Sequence, residues 1–288
     1  MKGGKTIILE VCNLFRRKRT YNWTMVDIHN HMLFGVDDGA KTLEMSLEML
    51  KMAFESGTQK VVLTPHYSPR RGKAPYKLIL RNYEKLKKRA AQEIPGLSLY
   101  LGREVYYLSN VFEDIDKVED SDVDMTDYEW GTMNDVKNDF REKDLKAIRM
   151  CGTKNMIIEF SAMTDIDTIR RGISDCFMSG FQPIVAHVER YVCIVKDPLL
   201  IADLREMGAY IQINADSIMG VNGPQVKKCV KKLLSEEFVD FVASDAHNLT
   251  SRKPILSEAR DYVSKKYGEI YAQNIFRNNA IKLLALEN

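Results

Sequence analysis

Residues 26–57 read VDIHNHMLFGVDDGAKTLEMSLEMLKMAFESG, and this stretch holds the repeating unit of the whole chain. Val26 to His29 is a short, largely apolar run of strand character. After a Gly/Asp-rich loop, Leu43, Leu47, Leu50 and Phe54 fall at i, i+4, i+7 and i+11, one face of an amphipathic helix, and Gly57 supplies its stop. The same alternation recurs downstream. Six further strands are expected, centred on Val61 to Thr64, Leu97 to Leu101, Met156 to Phe160, Pro183 to His187, Tyr210 to Ile213 and Val239 to Ser244, and each but Leu97 to Leu101 is followed by a helical pattern. Seven βα units in series predict an α/β fold with a closed or nearly closed parallel barrel, whose active groups belong at the C-terminal strand ends.

The five histidines obey that rule. His29 and His31 follow the first strand, His66 the second, His187 the fifth and His247 the seventh. In His29-Asn30-His31 the i, i+2 spacing on a strand turns both imidazoles to one side, where they can share a metal ion, and Asp245 and His247 repeat that spacing. Acids stand at comparable places: Asp37 and Asp38 in the first loop, Glu104 in GREVYY, and Glu159 inside the apolar run MIIEF. A carboxylate buried there without a partner would be costly. A single histidine beside apolar sequence is usually a satisfied core residue, but nine N and O donors at one end of successive strands, counting one of Asp37 and Asp38, exceed the needs of one ion. A cluster of two or three divalent metals is expected. Mixed imidazole and carboxylate ligation suits Mn, Fe or Zn, with Co also open, and does not suit an all-oxygen Ca or Mg site. Arg190 in AHVERY and Arg252 in SDAHNLTSR follow strand-end histidines closely, and guanidinium groups beside a metal cluster are suited to holding phosphate oxygens. Arg70, Arg71 and Lys73, in the loop after His66, are expected to recruit acidic residues flanking a phosphorylated site.

Composition narrows the function classes. With 45% hydrophobic residues in 288, the chain can bury a large core, and the net charge of +2 gives no field for nonspecific nucleic-acid binding. No run approaches a membrane span. Five cysteines without a C-x-x-C pair suit a reducing compartment, so a cytoplasmic location is expected. Residues 1–24 read as a poorly ordered extension, because a short apolar run precedes its basic residues, the reverse of an export signal. Residues 25–288 read as one domain, with an acidic insertion over about 113–150; Glu113 to Glu129 alone holds nine acids against Lys117. None of the cysteines has arginine six residues on, which excludes the C-x5-R mechanism of thiol-based tyrosine phosphatases, and no phosphate-binding glycine loop of the nucleotide-binding type is present.

The series DIHNH, DDGA, TPH, GREVYY, IEF, AHVERY and FVASDAHN, in order from Val26 to Arg252, resembles the polymerase and histidinol phosphatase (PHP) superfamily. Within it the chain most resembles the bacterial manganese-dependent protein-tyrosine phosphatases of capsule and exopolysaccharide loci, the CpsB/CapC type. The resemblance implies a distorted (β/α)7 barrel and three metal positions. His29, His31, Glu104 and Asp245 would hold the first; Glu104, Glu159 and His187 the second; His66, His247 and Asp38 the third. Asp38, Arg190 and Arg252 match catalytic positions, the arginines as phosphate binders. The implied reaction is hydrolysis of phosphotyrosine by a metal-activated water, on the tyrosine-rich tail of a bacterial kinase that controls polysaccharide export, near the inner face of the membrane through that partner. The alternative is a small-molecule phosphatase such as one for histidinol phosphate. A PHP module acting on nucleic acid is disfavoured, since no polymerase region accompanies the motifs. The residues leave the oligomeric state open.

Overall fold

All seven expected strands form, and two of them break in the middle. The computed structural model describes residues 21–68, 72–112 and 148–286, of Gly72 and Lys73 the backbone alone. The acidic stretch Glu113 to Glu129, most of the 113–150 insertion, and residues 1–20 of the N-terminal extension lie outside them. The strands are β1 (Met25–Asp27), β2 (Thr58–Leu63), β3 (His66–Ser68), β4 (Gly72–Lys73), β5 (Ser98–Leu101), β6 (Glu104–Tyr106), β7 (Asn155–Glu159), β8 (Gln182–Val185), β9 (Tyr210–Asn214) and β10 (Phe241–Ala243).

The second predicted strand is β2 continued as β3, the third β5 continued as β6. Their first halves pair in a sheet of order β1-β2-β5; their second halves join the larger sheet β10-β9-β8-β7-β6-β3-β4. Pro65 offers no N–H to continue the ladder, and Gly102 marks the matching break. A Cβ at Gly102 would stand 2.3 Å from Met150 Sδ, so only glycine lets the chain bend there. The ring closes between the first and last strands: Asp245 N–H donates to His29 O at 2.8 Å, and His31 N–H to Ala246 O at 2.8 Å. All neighbouring βα strands are parallel; the one antiparallel pair among the described residues, β3 with β4, folds the chain after His66 into a small hairpin. Lys73 therefore sits on an edge strand rather than in an open loop, while Arg70 and Arg71 lie outside the described residues.

The helix expected after β1 runs from Leu43 to Glu55. The Thr42 side chain caps it by accepting from Met45 N–H at 3.2 Å, and Gly57 ends it at φ +98°, a conformation that favours glycine. Leu43, Leu47 and Leu50 are buried against the helix Tyr76–Glu93, so the periodicity read from the sequence is the packed face. Inside the ring, Val26, Ile28, Val62, Ile157, Ile184, Phe241 and Ala243, from five strands, form one cluster with Ala280, Leu284 and Leu286 of the C-terminal segment. Residues from strands on opposite sides can meet only within the barrel, so this cluster is its apolar floor. Tyr21 to Thr24, which the sequence reading assigns to the extension, pack on the body: Trp23 is buried, and the Arg260 guanidinium lies 3.9 Å from the Tyr21 ring centroid.

Candidate metal centre

Above the floor, all nine sequence-derived donors converge. Glu104 is the hub. Its Oε1 stands 3.1 Å from His29 Nε2 and 3.1 Å from His187 Nε2, its Oε2 3.3 Å from His31 Nε2 and 2.8 Å from His66 Nδ1. Asp245 Oδ1 lies 3.4 Å from His31 Nε2 and 3.8 Å from His29 Nε2, and Glu159 Oε1 lies 3.5 Å from His187 Nε2. At the mouth, Asp38 Oδ1 is 3.3 Å from His66 Nε2 and 3.4 Å from His247 Nε2. Donor atoms gather in three groups: His31, Asp38, His66 and His247; His29, His31 and Glu104; and His66, Glu104 and Glu159.

The chemistry of these donors fits divalent cations. The Nε2 atoms of His29, His31, His66 and His247 and Oε2 of Glu104 are buried without a hydrogen-bond partner, although carboxylate and imidazole atoms face one another at short range. Buried polar atoms are normally paired. Lone pairs converging without protons between them are what a cation satisfies. The outer nitrogens are already held: His31 Nδ1 by Asp37 Oδ2 at 2.8 Å, His247 Nδ1 by Asp245 O at 2.9 Å, and His29 Nδ1 by Gln212 Oε1 at 3.0 Å. Hydrogen bonds of this kind fix a metal-ligating imidazole with its free nitrogen inward.

Burial and contacts set Asp37 and Asp38 apart. Asp38 faces His66 and His247, whereas Asp37 is enclosed, bonded to His31 and accepting from the backbone N–H of His66 at 3.0 Å and of Gly39 at 2.9 Å. A Cβ at Gly39 would stand 2.0 Å from His31 O, so the glycine of DDGA lets this loop close over the first strand.

Without cations, charge is balanced within the cluster. Burial alone would raise the Glu104 carboxyl, but His29 and His66 outweigh it and hold it well below the usual range; Asp245 is likewise held well below by His31, His29 and the arginines. Burial disfavours the His66 imidazolium, yet Glu104 carries its pKa up to about 9. For His187 burial wins and lowers it to about 4. Two backbone positions are unusual for their residue type, His187 at φ +30° and Asp245 at φ +50°. Both left-handed turns bring side chains inward at strand ends, and such conformations persist only where surroundings impose them.

Arg190 and Arg252 reach the same cluster. Each contacts Asp245 Oδ2, at 2.9 and 2.5 Å, and their side chains remain 29% and 28% exposed against 0–6% for the five histidines. With Asp38 at 46%, they mark the side on which the cluster opens to solvent. The sequence reading missed Gln212 and Asn214 of β9. The available signal was the pattern YIQIN, two polar residues at i, i+2 within an apolar strand.

Comparisons with known proteins agree with this geometry. The family model for capsular polysaccharide synthesis, CpsB/CapC, matches residues 25–137 and 128–285. The chain is 32% identical over 265 residues to the tyrosine-protein phosphatase CpsB of Streptococcus agalactiae, covering 90% of this chain and 98% of that protein. It is 29% identical to the tyrosine-protein phosphatase YwqE of Bacillus subtilis over 85% of each chain. A solved structure from work on YwqE of Bacillus subtilis and CpsB of Streptococcus pneumoniae, described as unique metal-dependent tyrosine phosphatases, superposes with a TM-score of 0.73 at 27% identity, over 92% of this chain and 96% of that one.

Proposed function

Because the chain belongs to the CpsB/CapC family of capsular polysaccharide synthesis, we propose that it is a metal-dependent protein-tyrosine phosphatase. The observation that carries the reading is the burial of five histidines with Glu104, the Nε2 atoms of His29, His31, His66 and His247 being unpaired, at the open end of the barrel. His29, His31, Glu104 and Asp245 would hold one ion, Glu104, Glu159 and His187 a second, and Asp38, His66 and His247 a third. Manganese is the proposed metal. Bound divalent ions supply Lewis acidity and a water acidic enough to attack phosphorus at neutral pH.

The chain's own groups do the rest. Arg190 and Arg252, half-open to solvent, bind the phosphoryl oxygens; a guanidinium has five N–H donors, so contact with Asp245 leaves donors for a second anion. Asp38 is held low by His247 and His66 despite partial burial, so it stays ionised and serves as a ligand rather than as an acid. A tyrosine leaving group, with a pKa near 10, needs little protonation to depart. No described cysteine lies in the cluster, and burial pushes the Cys151 thiol up to about 12 and raises the Cys176 thiol as well, against a nucleophilic role.

The proposed substrate is the tyrosine-rich tail of a bacterial kinase acting in polysaccharide export, met in the cytoplasm beside the membrane. Among the described residues no helix is long and apolar enough to cross a membrane. Residues 25–288 are proposed as the catalytic unit, carrying the 113–150 insertion and preceded by the extension. The test is a substrate panel on the purified, Mn-loaded protein. Phosphotyrosine peptides should be hydrolysed far faster than histidinol phosphate or phosphoserine peptides; the reverse order would replace this reading with that of a small-molecule phosphatase.

A further inference from the structure

Of the seven barrel strands, β9 alone contributes none of the nine donors, yet its inward residues Gln212 and Asn214 are 0% and 1% exposed and touch three of them. Gln212 Oε1 lies 3.0 Å from His29 Nδ1 and accepts from the backbone N–H of His187 at 2.9 Å. Gln212 Nε2 donates to Asn214 Oδ1 at 2.8 Å, and Asn214 Nδ2 donates to Asp245 Oδ2 at 2.9 Å. The direction of this chain is forced. A backbone N–H can only donate, so the His187 amide demands the oxygen of Gln212; the Gln212 NH2 group then demands the oxygen of Asn214, and the Asn214 NH2 group is left facing a carboxylate, which can only accept. His29 Nδ1, facing the same oxygen, must carry a proton, so in the neutral imidazole that a metal ion binds the lone pair is on Nε2, toward Glu104, 3.1 Å away.

We propose that Gln212 and Asn214 are positioning residues of the metal centre, an amide relay that sets the tautomer of His29 and turns Asp245 Oδ1 inward. The inference rests on the metal-centre reading above. The relay spans β8, β9, β10 and the end of β1, and it bears on both left-handed positions: Gln212 holds the His187 amide, Asn214 the Asp245 carboxylate. Its base is anchored independently. Asn214 N–H donates to Glu189 Oε1 at 3.0 Å, and Ser217 Oγ donates to the same oxygen at 2.7 Å. An apolar residue at 212 would leave the His29 Nδ1–H, the His187 N–H and the Asn214 oxygen without their partner at once.

The experiment compares the full-length protein with Gln212→Leu, Gln212→Glu and Asn214→Ala. Mn²⁺ binding is titrated by the EPR signal of the free ion. Imidazole N–H protons are observed by 1H–15N NMR on protein loaded with diamagnetic Zn²⁺, and folding is followed by thermal unfolding. Wild type and Gln212→Glu should show an exchange-protected His29 Nδ1–H, because both carry an acceptor at 212; Gln212→Leu should lose it and bind Mn²⁺ about 10-fold or more weakly, the usual cost of removing such a partner. Asn214→Ala should keep the His29 proton while weakening Mn²⁺. A merely structural role would rank the variants by melting temperature, with the buried charge of Gln212→Glu doing most harm and the His29 proton unmoved. Wild-type Mn²⁺ affinity together with a retained His29 proton in Gln212→Leu would overturn the proposal; should Gln212→Leu fail to fold, wild-type Mn²⁺ affinity in Asn214→Ala would do so. Failure of the wild type to bind Mn²⁺ would instead overturn the metal-centre reading.

Discussion

The floor and the upper layer of this barrel are built from the same strands a few residues apart, and they obey opposite rules. On β7, Ile157 lies in the floor and Glu159 in the cluster; on the last strand, Ala243 in the floor is followed by Asp245. Burial of the floor is favourable by itself, at roughly 25 cal/mol per Å² of apolar surface. Burial of the upper layer is favourable only if its charges are paired, because a buried charge without a partner is costly. The two buried aspartates make the contrast concrete. Asp245, beside histidines and two arginines, is held well below the usual carboxylate range, whereas Asp27, whose nearest side-chain partner is the Ser244 hydroxyl, is raised by burial to about 6. Opposite charge, more than depth, separates the layers.

The largest effect should come from the hub. Glu104→Gln removes the carboxylate shared by four histidines, and it should lower kcat/KM on a phosphotyrosine peptide by at least about 100-fold and cut bound metal, as should chelation of the wild type, with Mn restoring only the latter. Elemental analysis beside the rate assay checks both. Substantial activity in metal-free protein would break the distinction between the layers.

The floor should respond in stability instead. Phe241→Ala, at a position 1% exposed, should cost about 3–5 kcal/mol in urea unfolding, while the metal content of the folded fraction stays normal. If metal is lost in parallel with Glu104→Gln, the two layers are not separable.

Asp27→Asn tests the boundary through pH. The folded-state pKa is raised from 3.8 to about 6, so the native protein holds this proton more tightly than the unfolded chain, and the stabilisation is present at low pH and lost as pH rises through about 6. The variant does not titrate there. Its stability relative to wild type should therefore rise between about pH 4 and 6 and level off above, by on the order of 3 kcal/mol at about 1.36 kcal/mol per pH unit. A difference independent of pH would show that Asp27 is already ionised when folded.

The smallest of these effects belongs to the rim. Arg190→Ala or Arg252→Ala should reduce kcat/KM by roughly 10-fold or more with metal content retained, since these groups meet substrate rather than complete the ligand set. Equal loss of metal in the arginine variants and in His187→Ala would assign the arginines to holding Asp245.

Much of this was legible in the sequence because it is local. The period of Leu43, Leu47 and Leu50, the stop at Gly57 and the i, i+2 spacing of His29 and His31 depend on neighbours within a few residues, and strand-end histidines announce a site once the βα rhythm is counted. The breaks at Pro65 and Gly102 could be suspected from residue type, but their alignment could not, since it depends on the register in which β2 pairs with β5 and β3 with β6. Asp37 and Asp38 are adjacent and chemically identical; only the fold, by setting one against His31 and the other against His66 and His247, gives them different work. Gln212 and Asn214 carry no ligand chemistry of their own, and their meaning comes from His29, His187 and Asp245, at most 183 residues away in the first of these hydrogen bonds. The sequence by itself determined which atoms can bind a cation and that they lie at one end of a barrel. Which nitrogen of each imidazole faces inward was decided by tertiary structure alone, because a tautomer is set by the partner that meets the other nitrogen, and those partners come from distant strands.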